Sequence, residues 1–275
     1  MKKPIYIFIF LTIFIVLSHI FLSKLPAGKT KISFLNIGQG DSILIQTTNL
    51  QNILIDGGPD QKVLEELGET LPIFFNQIDL MILTHPHADH INGLVEVLKR
   101  YEVKKVLISG INYNNNFYDE FLKSIKEQKI PLEIATANKD FDLNKKIFLD
   151  ILYPINSLAG KNIENVNNSS IVAKLIINSN HKILLTGDAE QETENKELLT
   201  DFDLSAEILK AGHHGSKTAS SLNYLQAINP KTTIIQSGIA NTFNHPHQET
   251  LDKFNNLGFE IRRNDMEGRI IFEIL

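Results

Sequence analysis

A cluster of three histidines and one aspartate constrains this chain more than any other feature. It reads Thr84-His85-Pro86-His87-Ala88-Asp89-His90 and directly follows the apolar residues 80–83. Neighbouring buried imidazoles cannot all be charged, and unpaired polar groups in an apolar setting carry a desolvation cost. A shared cation removes both problems. The cluster therefore predicts a metal site on a loop after a strand, with residues 85, 87 and 89 pointing to one centre and His90 closing it.

Two further apolar runs end in side chains that bind metals. Residues 183–185 lead to Thr186-Gly187-Asp188, and residues 208–209 lead to Lys210-Ala211-Gly212-His213-His214-Gly215. Sheets that alternate with helices carry functional residues at the C-terminal ends of their strands. A lone aspartate there is more often a helix cap or a turn residue, but paired histidines are a stronger signal. Together with the first cluster, these segments predict a centre for two metal ions.

Seven segments, in order along the chain, resemble the metallo-β-lactamase superfamily and, within it, the extracellular hydrolase domain of the ComEC competence proteins. They are residues 34–42, 54–58, 83–93, 167–172, 184–190, 209–217 and 244–247. Three motifs are typical of that subfamily: Gly38-Gln39-Gly40-Asp41, His213-His214-Gly215-Ser216 and His245-Pro246-His247. The resemblance implies a metal-dependent hydrolase with an α/β fold, the αββα sandwich of the superfamily.

The resemblance also implies a role for each side chain of the centre. His85 and His87 would hold the first ion, Asp89 and His90 the second, and Asp188 would bridge the two. Adjacent residues at a strand end point in opposite directions, so His213 and His214 are not expected at the same ion. His213 would complete the second site, and His214 would bind the first ion or the substrate. The implied metal ligands are His85, His87, Asp89, His90, Asp188 and His213, and the implied catalytic residues are Asp89, His214 and His245.

Several neighbouring positions keep two interpretations. Many superfamily members place a further histidine before the bridging aspartate; here the matching segment is residues 167–170, so water or Asn167 would fill that position. Asp56, and similarly Asp41, is either a carboxylate that orients a metal-binding imidazole or a turn residue. His245 is either a contact to the substrate or its leaving group or a rim residue without such a role. His247 is either a helix-cap neighbour or a second contact of that kind. Three polar residues after the third strand run either contact an anion or belong to a solvated loop; they are Lys210, Ser216 and Lys217.

The cofactors implied are two divalent metal ions, Zn²⁺ or Mn²⁺, because histidine and aspartate suit both. Two such ions activate a water for hydrolysis. The resemblance implies a phosphodiester substrate, with single-stranded DNA foremost, and competence channel proteins as partners in DNA uptake or degradation. Two alternatives remain open: a cell-envelope phosphoesterase of the phosphorylcholine type, and a non-catalytic subunit that presents DNA to an uptake channel.

Composition narrows the ways in which such a substrate is held. The chain has 275 residues, 43% of them hydrophobic, which is enough for one large core, and its formal net charge is −5. An acidic domain binds polyanions poorly, so any nucleic acid would be held mainly by the metals. Cysteine is absent, which excludes a disulfide framework, a cysteine zinc site and a thiol nucleophile.

The N-terminus reads as a separate element. Lys2 and Lys3 precede an apolar run over residues 5–22, about the 17–25 residues that span a bilayer as a helix. A cleavable signal has a shorter apolar region and a small-x-small site. We therefore predict an uncleaved signal anchor, with secretion after cleavage as the alternative, and the two lysines place the catalytic domain outside the cytoplasmic membrane. The predicted organisation is an anchor and short tether over residues 1–28 and a hydrolase domain over residues 29–275.

The remaining pattern is that of alternating strands and helices. Three short strands over residues 31–36, 42–47 and 52–56 open the domain, and a helix over residues 92–100 follows the metal loop. Residues 178–180 read as the turn of a hairpin. Two β-rich halves with interposed helices match an αββα sandwich preceded by one transmembrane helix.

Overall fold

Short apolar runs build two large sheets in this protein. A computed structural model of the chain describes residues 3–275, with side chains from residue 5. The strands, in chain order, are β1 (Thr30–Phe34), β2 (Ile43–Gln46), β3 (Asn52–Ile55), β4 (Gln77–Ile78), β5 (Leu80–Leu83), β6 (Glu102–Val103), β7 (Val106–Ile108), β8 (Leu132–Ile134), β9 (Phe141–Asn144), β10 (Ile147–Tyr153), β11 (Val172–Ile177), β12 (His181–Leu185), β13 (Ile208–Lys210), β14 (Thr232–Ile235), β15 (Glu260–Arg263) and β16 (Ile270–Ile274). The helices are α1 (Lys3–Lys24), α2 (Lys62–Thr70), α3 (Ala88–Leu98), α4 (Asn116–Glu127), α5 (Gln191–Leu198), α6 (Leu222–Ile228), α7 (Gln248–Asn256) and α8 (Asn264–Glu267). Single 3₁₀ turns cover Val166–Ser169 and Gly212–Gly215.

The two large sheets have seven strands each. One has the order β16-β1-β2-β3-β5-β7-β8 and the other β15-β14-β13-β12-β11-β10-β9, while β4 and β6 form a separate parallel pair. Within the first sheet β3, β5, β7 and β8 are parallel, and within the second β12 to β15 are parallel. Parallel strands end at the same edge of a sheet, so the polar segments that follow β3 and β5, and those that follow β12 and β13, collect at one edge of each sheet.

Each sheet carries apolar residues on both faces. In β2, Ile43 and Ile45 face the opposite sheet, while Leu44 packs with the cluster that includes α2, α3 and α4. In β12, Ile183 joins the core between the sheets and Leu184 packs toward α6 and α7. Successive side chains of a strand point to opposite faces, so burial on both faces requires helices outside each sheet. The predicted αββα sandwich is confirmed.

One predicted boundary near the metal loop is wrong. Helix α3 begins at Ala88, four residues before the predicted start, so Asp89 and His90 lie in its first turn and not on the loop. His87, in an extended conformation, caps the helix, and a carboxylate in the first turn is favoured by the helix dipole. The predicted hairpin is confirmed as β11 and β12. The last two strands of the chain lie in different sheets: β15 pairs with β14 in the second sheet, and β16 pairs with β1 in the first.

Helix α1 stands apart from the two sheets. Its 20 residues Ile5–Lys24 are long and apolar enough to cross a membrane, and they are not buried against the rest of the described chain. By length and composition this helix could anchor the protein in a membrane. Lys2 lies outside the described residues. The division of the chain at residue 28 and the sidedness of the anchor stay predictions.

Candidate metal centre

Asp56 organises the first half of the site. It follows β3 in a left-handed conformation (φ 57°) and is fully buried. Its Oδ1 accepts a hydrogen bond from the backbone N–H of Thr84 (2.8 Å), and its Oδ2 accepts one from the Thr84 hydroxyl (2.6 Å). Oδ2 also lies 2.8 Å from Nδ1 of His90. A carboxylate on Nδ1 turns the Nε2 of that ring toward a metal, so the geometry favours the orienting interpretation of Asp56 over a simple turn residue.

The Gly38-Gln39-Gly40-Asp41 turn packs directly on the start of α3. Gly40 has φ 124°, and a Cβ added to it would lie 2.1 Å from the backbone oxygen of Asp89. The N–H of Asp41 donates to that same oxygen at 3.3 Å. Only glycine permits this approach and this backbone angle, and the contact fixes the turn of helix that carries Asp89 and His90.

Asp188 Oδ2 is the point on which the imidazoles converge. The Nε2 atoms of His90 and His214 both lie 3.2 Å from it. The Nε2 atoms of His85 and His213 lie 3.9 Å away. The first sheet supplies His85 and His90 and the second supplies the others, so the carboxylate stands between the two sheets. A bridging position for Asp188 agrees with this geometry.

The two adjacent histidines both reach the centre, which the alternation of strand residues does not predict. The chain leaves β13 in a 3₁₀ turn, where His213 (φ 46°) and His214 (φ 53°) adopt left-handed conformations. Nδ1 of His213 lies 2.8 Å from Oε1 of Glu190, and Nδ1 of His214 lies 2.9 Å from the backbone oxygen of Gln236. Because the turn replaces the strand, both side chains point to Asp188.

The structure also changes the expected grouping of the ligands. One ligand atom from each of Asp89, His90, Asp188 and His214 lies within 4.8 Å of the others. Nε2 of His214 is 3.3 Å from Oδ2 of Asp89. The geometry therefore favours His214, and not His213, as the companion of Asp89 and His90.

The remaining predicted ligands lie beside His85 and His213. His87 is partly exposed, and its ring centroid lies 4.7 Å from that of His85. Asn167 approaches His213, with 3.4 Å between Nδ2 and Nδ1. Its Oδ1 is buried without a hydrogen-bond partner within the described chain, so this oxygen is free to act as a ligand. The segment that the sequence matched to the missing histidine, residues 167–170, thus reaches the centre through Asn167.

Buried nitrogen and oxygen atoms provide a test of whether cations fit. The Nε2 atoms of His85, His90 and His214 and the Oδ1 of Asp188 are buried and accept or donate no hydrogen bond among residues 3–275. The two short distances to Asp188 Oδ2 are therefore contacts without hydrogen-bond alignment. Convergent imidazole nitrogens beside carboxylates are the donor set of Zn²⁺ and Mn²⁺ sites, so the residues fit divalent cations.

The pKa values show how strongly the carboxylates act on the imidazoles. Burial alone would lower the pKa of His90, but Asp188, Asp56 and Asp89 raise it well above its ordinary value. Burial would raise the pKa of Asp188, but His214 and His90 hold it well below its usual range. Burial, reinforced by His90, lowers the pKa of His85. Protons on His90 and His214 thus offset the negative charge of the buried carboxylates, a role that bound metal cations would otherwise have.

Lys210 is neither an anion contact nor part of a solvated loop. It is fully buried at the end of β13, where its Nζ pairs with Asp41 and donates to the backbone oxygen of Gly187 at 2.9 Å. The same Nζ lies 3.7 Å from Oδ1 of Asp188. Both interpretations from the sequence are therefore wrong for this lysine, which supports the carboxylates from inside the protein.

The His245-Pro246-His247 motif lies at the rim of the centre. His245 is 8% exposed, and its ring centroid is 5.1 Å from that of His213. Burial, with the neighbouring His213, lowers its pKa to about 4, so this imidazole is neutral near pH 7. His247 is the N-cap residue of α7, and its Nδ1 accepts from the backbone N–H of Lys217 at 3.1 Å. His247 thus has a structural contact, while His245 stays available at the rim.

Glu190 is the main residue that the sequence did not reveal. Its carboxylate contacts His213 and accepts hydrogen bonds from the hydroxyl of Thr218 (2.8 Å) and from the side-chain amides of Asn165 (2.7 Å) and Asn167 (3.2 Å). Burial would raise the pKa of Glu190, but these hydrogen bonds lower it to about 2. Its place two residues after Asp188, before α5, was the available signal. Glu190 fixes His213 as Asp56 fixes His90.

Comparison with known proteins agrees with this geometry. The model of the "Metallo-beta-lactamase superfamily" matches residues 35–238. ComE operon protein 3 of Bacillus subtilis is 28% identical over 268 residues, which cover 91% of this chain and 34% of that protein. Competence protein ComA of Neisseria gonorrhoeae is 25% identical over 250 residues, covering 90% and 33%. The chain thus spans about a third of the length of these relatives.

Solved structures share the fold at low identity. The metallo-beta-lactamase fold protein YhfI of Bacillus subtilis superposes with a TM-score of 0.58 at 14% identity, covering 89% of this chain and 99% of that one. Such a likeness concerns the fold alone. The family model and the curated relatives confirm the predicted resemblance to the metallo-β-lactamase domain of the ComEC competence proteins.

Proposed function

The chain belongs to the metallo-beta-lactamase superfamily, a superfamily of metal-dependent hydrolases, and we propose that it is a membrane-anchored phosphodiesterase that cleaves DNA outside the cytoplasmic membrane. The observation that carries the proposal is the convergence of four imidazole Nε2 atoms within 3.9 Å of Asp188 Oδ2. The similarity to a protein named for competence supports DNA as the substrate.

We assign the ligands by the geometry of the two groups. Asp89, His90 and His214 would hold one ion, and His85 and His87 would hold the other, with His213 or the Oδ1 of Asn167 beside it. Asp188, which faces all four imidazoles, would be available to both ions. When bound, two divalent ions supply a water of near-neutral pKa and offset charge that builds on a phosphodiester. Zn²⁺ and Mn²⁺ both suit these ligands.

The chain's own residues orient this centre. Asp56 and the backbone oxygen of Gln236 accept the Nδ1–H of His90 and His214, so both rings present Nε2 toward Asp188. Asp89 is 27% exposed and is therefore the carboxylate that a substrate reaches. His245 lies beside His213 at the rim, where an imidazole N–H can donate to the leaving oxygen.

The charge of the protein favours a metal-centred grip on single-stranded DNA. The formal net charge is −5, so few phosphates would be neutralised by lysine or arginine. Each phosphate contact on a single strand contributes about −0.7 to the slope of log affinity against log salt. We expect a shallow slope, and we expect single strands to be cleaved faster than duplexes because a flexible backbone reaches an in-line geometry more easily.

Hydrolysis by the full chain in detergent, loaded with Zn²⁺ or Mn²⁺, tests the proposal. The substrates are single-stranded DNA, duplex DNA, RNA and a phosphorylcholine ester. Asp188→Asn should abolish cleavage and lower the content of two metal ions. Asp79→Asn is the matched control, because Asp79 also accepts two hydrogen bonds, from Asn52 N–H (2.8 Å) and Gln77 Nε2 (2.6 Å), but lies at the opposite end of β5.

Each other outcome points to a different function. Cleavage of the phosphorylcholine ester with every DNA intact would replace the nuclease proposal with an envelope phosphoesterase. Binding of DNA with no hydrolysis of any substrate would indicate a DNA-presenting subunit. Sidedness is tested separately, since protease added to intact protoplasts should digest the domain, and protection until lysis would reverse the proposed orientation.

A further inference from the structure

The end of α2 and the loop between α2 and β4 contact the apolar helix α1. The rings of Phe21 in α1 and Phe75 in the loop meet edge to face with centroids 5.9 Å apart. The Nζ of Lys24, the last residue of α1, donates to the backbone oxygen of Gly68 in α2 at 2.8 Å. Two contacts of different chemistry therefore join the C-terminal end of α1 to α2 and the loop that follows it.

The tip of this loop is apolar and open. Phe74 is 93% exposed and Ile73 is 38% exposed. Phe74 also has φ 75°, a left-handed conformation that an aromatic residue adopts at a cost. Hydrogen bonds on both sides hold the tip, from Phe75 N–H to Pro72 O (3.0 Å) and from Glu102 N–H to Asn76 O (2.7 Å).

Exposure alone would mean little, because single apolar residues are common on protein surfaces. Leu199, at 88% exposed, and Ile239, at 81%, are nearly as open as Phe74. Position distinguishes the loop from these residues. Phe21 lies three residues before the end of α1, which is about 4–5 Å along the helix axis at 1.5 Å per residue. If α1 spans the bilayer, a side chain that packs on Phe21 therefore lies at the depth of the bilayer interface.

We propose that residues 71–76 form a membrane-docking loop, whose Ile73 and Phe74 side chains enter the interfacial layer of the bilayer that α1 spans. The inference rests on the membrane placement of α1 in the proposed function. Aromatic side chains are favoured at this depth, and the positively charged Lys24 lies at the same level. The occupant of the apolar tip is thus lipid, and the domain is held by a second point besides α1.

Docking in this way sets the direction in which the metal centre opens. The loop precedes β5, whereas the metal loop follows it, and β3 runs parallel to β5 with Asp56 at its C-terminal end. The docking loop and the metal centre therefore lie at opposite ends of the same strands. The centre faces away from the bilayer, so substrate approaches from the aqueous side.

Tryptophan fluorescence tests the proposal cleanly, because the chain contains no tryptophan. The full chain carrying Phe74→Trp is reconstituted into vesicles of ordinary lipid, or of lipid brominated near the headgroup end of its acyl chains. We expect emission at shorter wavelength than that of a tryptophan exposed to water, and quenching by the brominated lipid. Leu199→Trp is the matched control, an equally open apolar position, and should show neither effect.

A third variant separates this inference from the anchor. Phe14→Trp, in the middle of α1, should be quenched by lipid brominated deep in the chains; if it is not, the membrane placement of α1 fails and the docking loop with it. Quenching of Phe14→Trp without quenching of Phe74→Trp overturns the docking loop alone. A blue shift of Phe74→Trp without quenching would indicate contact with a second copy of the chain, and equal quenching of Leu199→Trp would indicate unspecific adsorption; both overturn the proposal.

Discussion

Asp56→Asn is the most informative single change at the metal centre, because it alters hydrogen bonding without altering shape. Asp56 accepts from Thr84 N–H, from the Thr84 hydroxyl and from Nδ1 of His90, all within 2.8 Å. Asparagine tolerates the left-handed backbone at this position. The variant therefore keeps the fold of the turn, but one of its two side-chain atoms becomes a donor.

Either orientation of the asparagine amide points its NH₂ group at a neighbour that donates a hydrogen bond to Asp56 in the parent protein. If the amide nitrogen faces the Thr84 N–H, that buried donor has no acceptor, which lowers stability by about 1–3 kcal/mol. With its nitrogen toward His90, the ring gives up its Nδ1 proton and keeps the one on Nε2, the Thr84 hydroxyl turns to accept, and the three hydrogen bonds around residue 56 are kept in the metal-free protein. We expect the second orientation, in which Nε2 of His90 carries a proton and no longer offers a lone pair to a metal.

The expected result is a selective loss of metal affinity. Removing such an orienting partner costs about 10- to 100-fold in affinity, which is about 1.4–2.8 kcal/mol, while the metal-free variant unfolds near the same denaturant concentration as the parent. Competition with a chelator measures the first quantity and chemical denaturation the second. Asp79→Asn should lose stability but keep its affinity. Unchanged metal affinity in Asp56→Asn, with or without lower stability, would refute the tautomer argument.

Three further changes test other parts of the fold. Burial raises the pKa of Glu197 to about 8, so the folded state keeps a proton that the unfolded state loses above its ordinary pKa. Stability should therefore fall as pH rises from about 4.5 to 8, by about 4–5 kcal/mol at 1.36 kcal/mol per pKa unit. Glu197→Gln should remove that fall in urea titrations across this pH range. Gly93→Ala would place a Cβ 1.8 Å from the oxygen of Gly57, so thermal unfolding should show a loss of about 3 kcal/mol where a helical alanine ordinarily gains about 1 kcal/mol. Lys210→Met leaves the buried carboxylate of Asp41 without its cation, and should lower the free energy of unfolding by about 3–5 kcal/mol. The melting temperature should drop further in the presence of a chelator than with Zn²⁺ or Mn²⁺. Equal drops under the two conditions would contradict the argument.

The sequence predicted the parts of the site that follow strongly apolar strands. The runs before His85, Asp188 and His213 identify buried parallel strands, and strand ends in such sheets meet at one edge. Local pattern could not place side chains whose direction depends on backbone angles. The left-handed pair at His213 and His214 is the clearest case, since strand alternation fails where a 3₁₀ turn has replaced the strand.

Tertiary contacts decided the other differences. Lys210 resembles a surface lysine beside glycines, but the Gly40 turn brings Asp41 over it and encloses both. The start of α3 lies four residues earlier than the apolar periodicity indicates. The first turn carries the polar residues Asp89 and His90 of the metal centre, so it lacks the apolar pattern, and the Asp41–Asp89 backbone contact holds it in place. In both cases a contact between segments distant in sequence outweighs the local signal.

The centre also joins the two halves of the sandwich. His85, Asp89 and His90 follow a strand of the first sheet, and Asp188 and His214 follow strands of the second. Ions bound among them would therefore cross-link the two sheets at their open edge. Besides the apolar core, the Gln236 amide crosses the same edge, donating to Leu35 O (3.1 Å) and Ser42 O (3.0 Å).

Protons and cations then compete for one role at this edge. The buried carboxylates raise the pKa of His90 and His214, so the metal-free protein keeps the sheets together through charged imidazoles facing Asp188. Ligation requires those protons to leave, and metal binding is coupled to proton release for that reason. The same residues can therefore hold the sandwich closed in either state, which reconciles a stable fold with a dense cluster of buried charge.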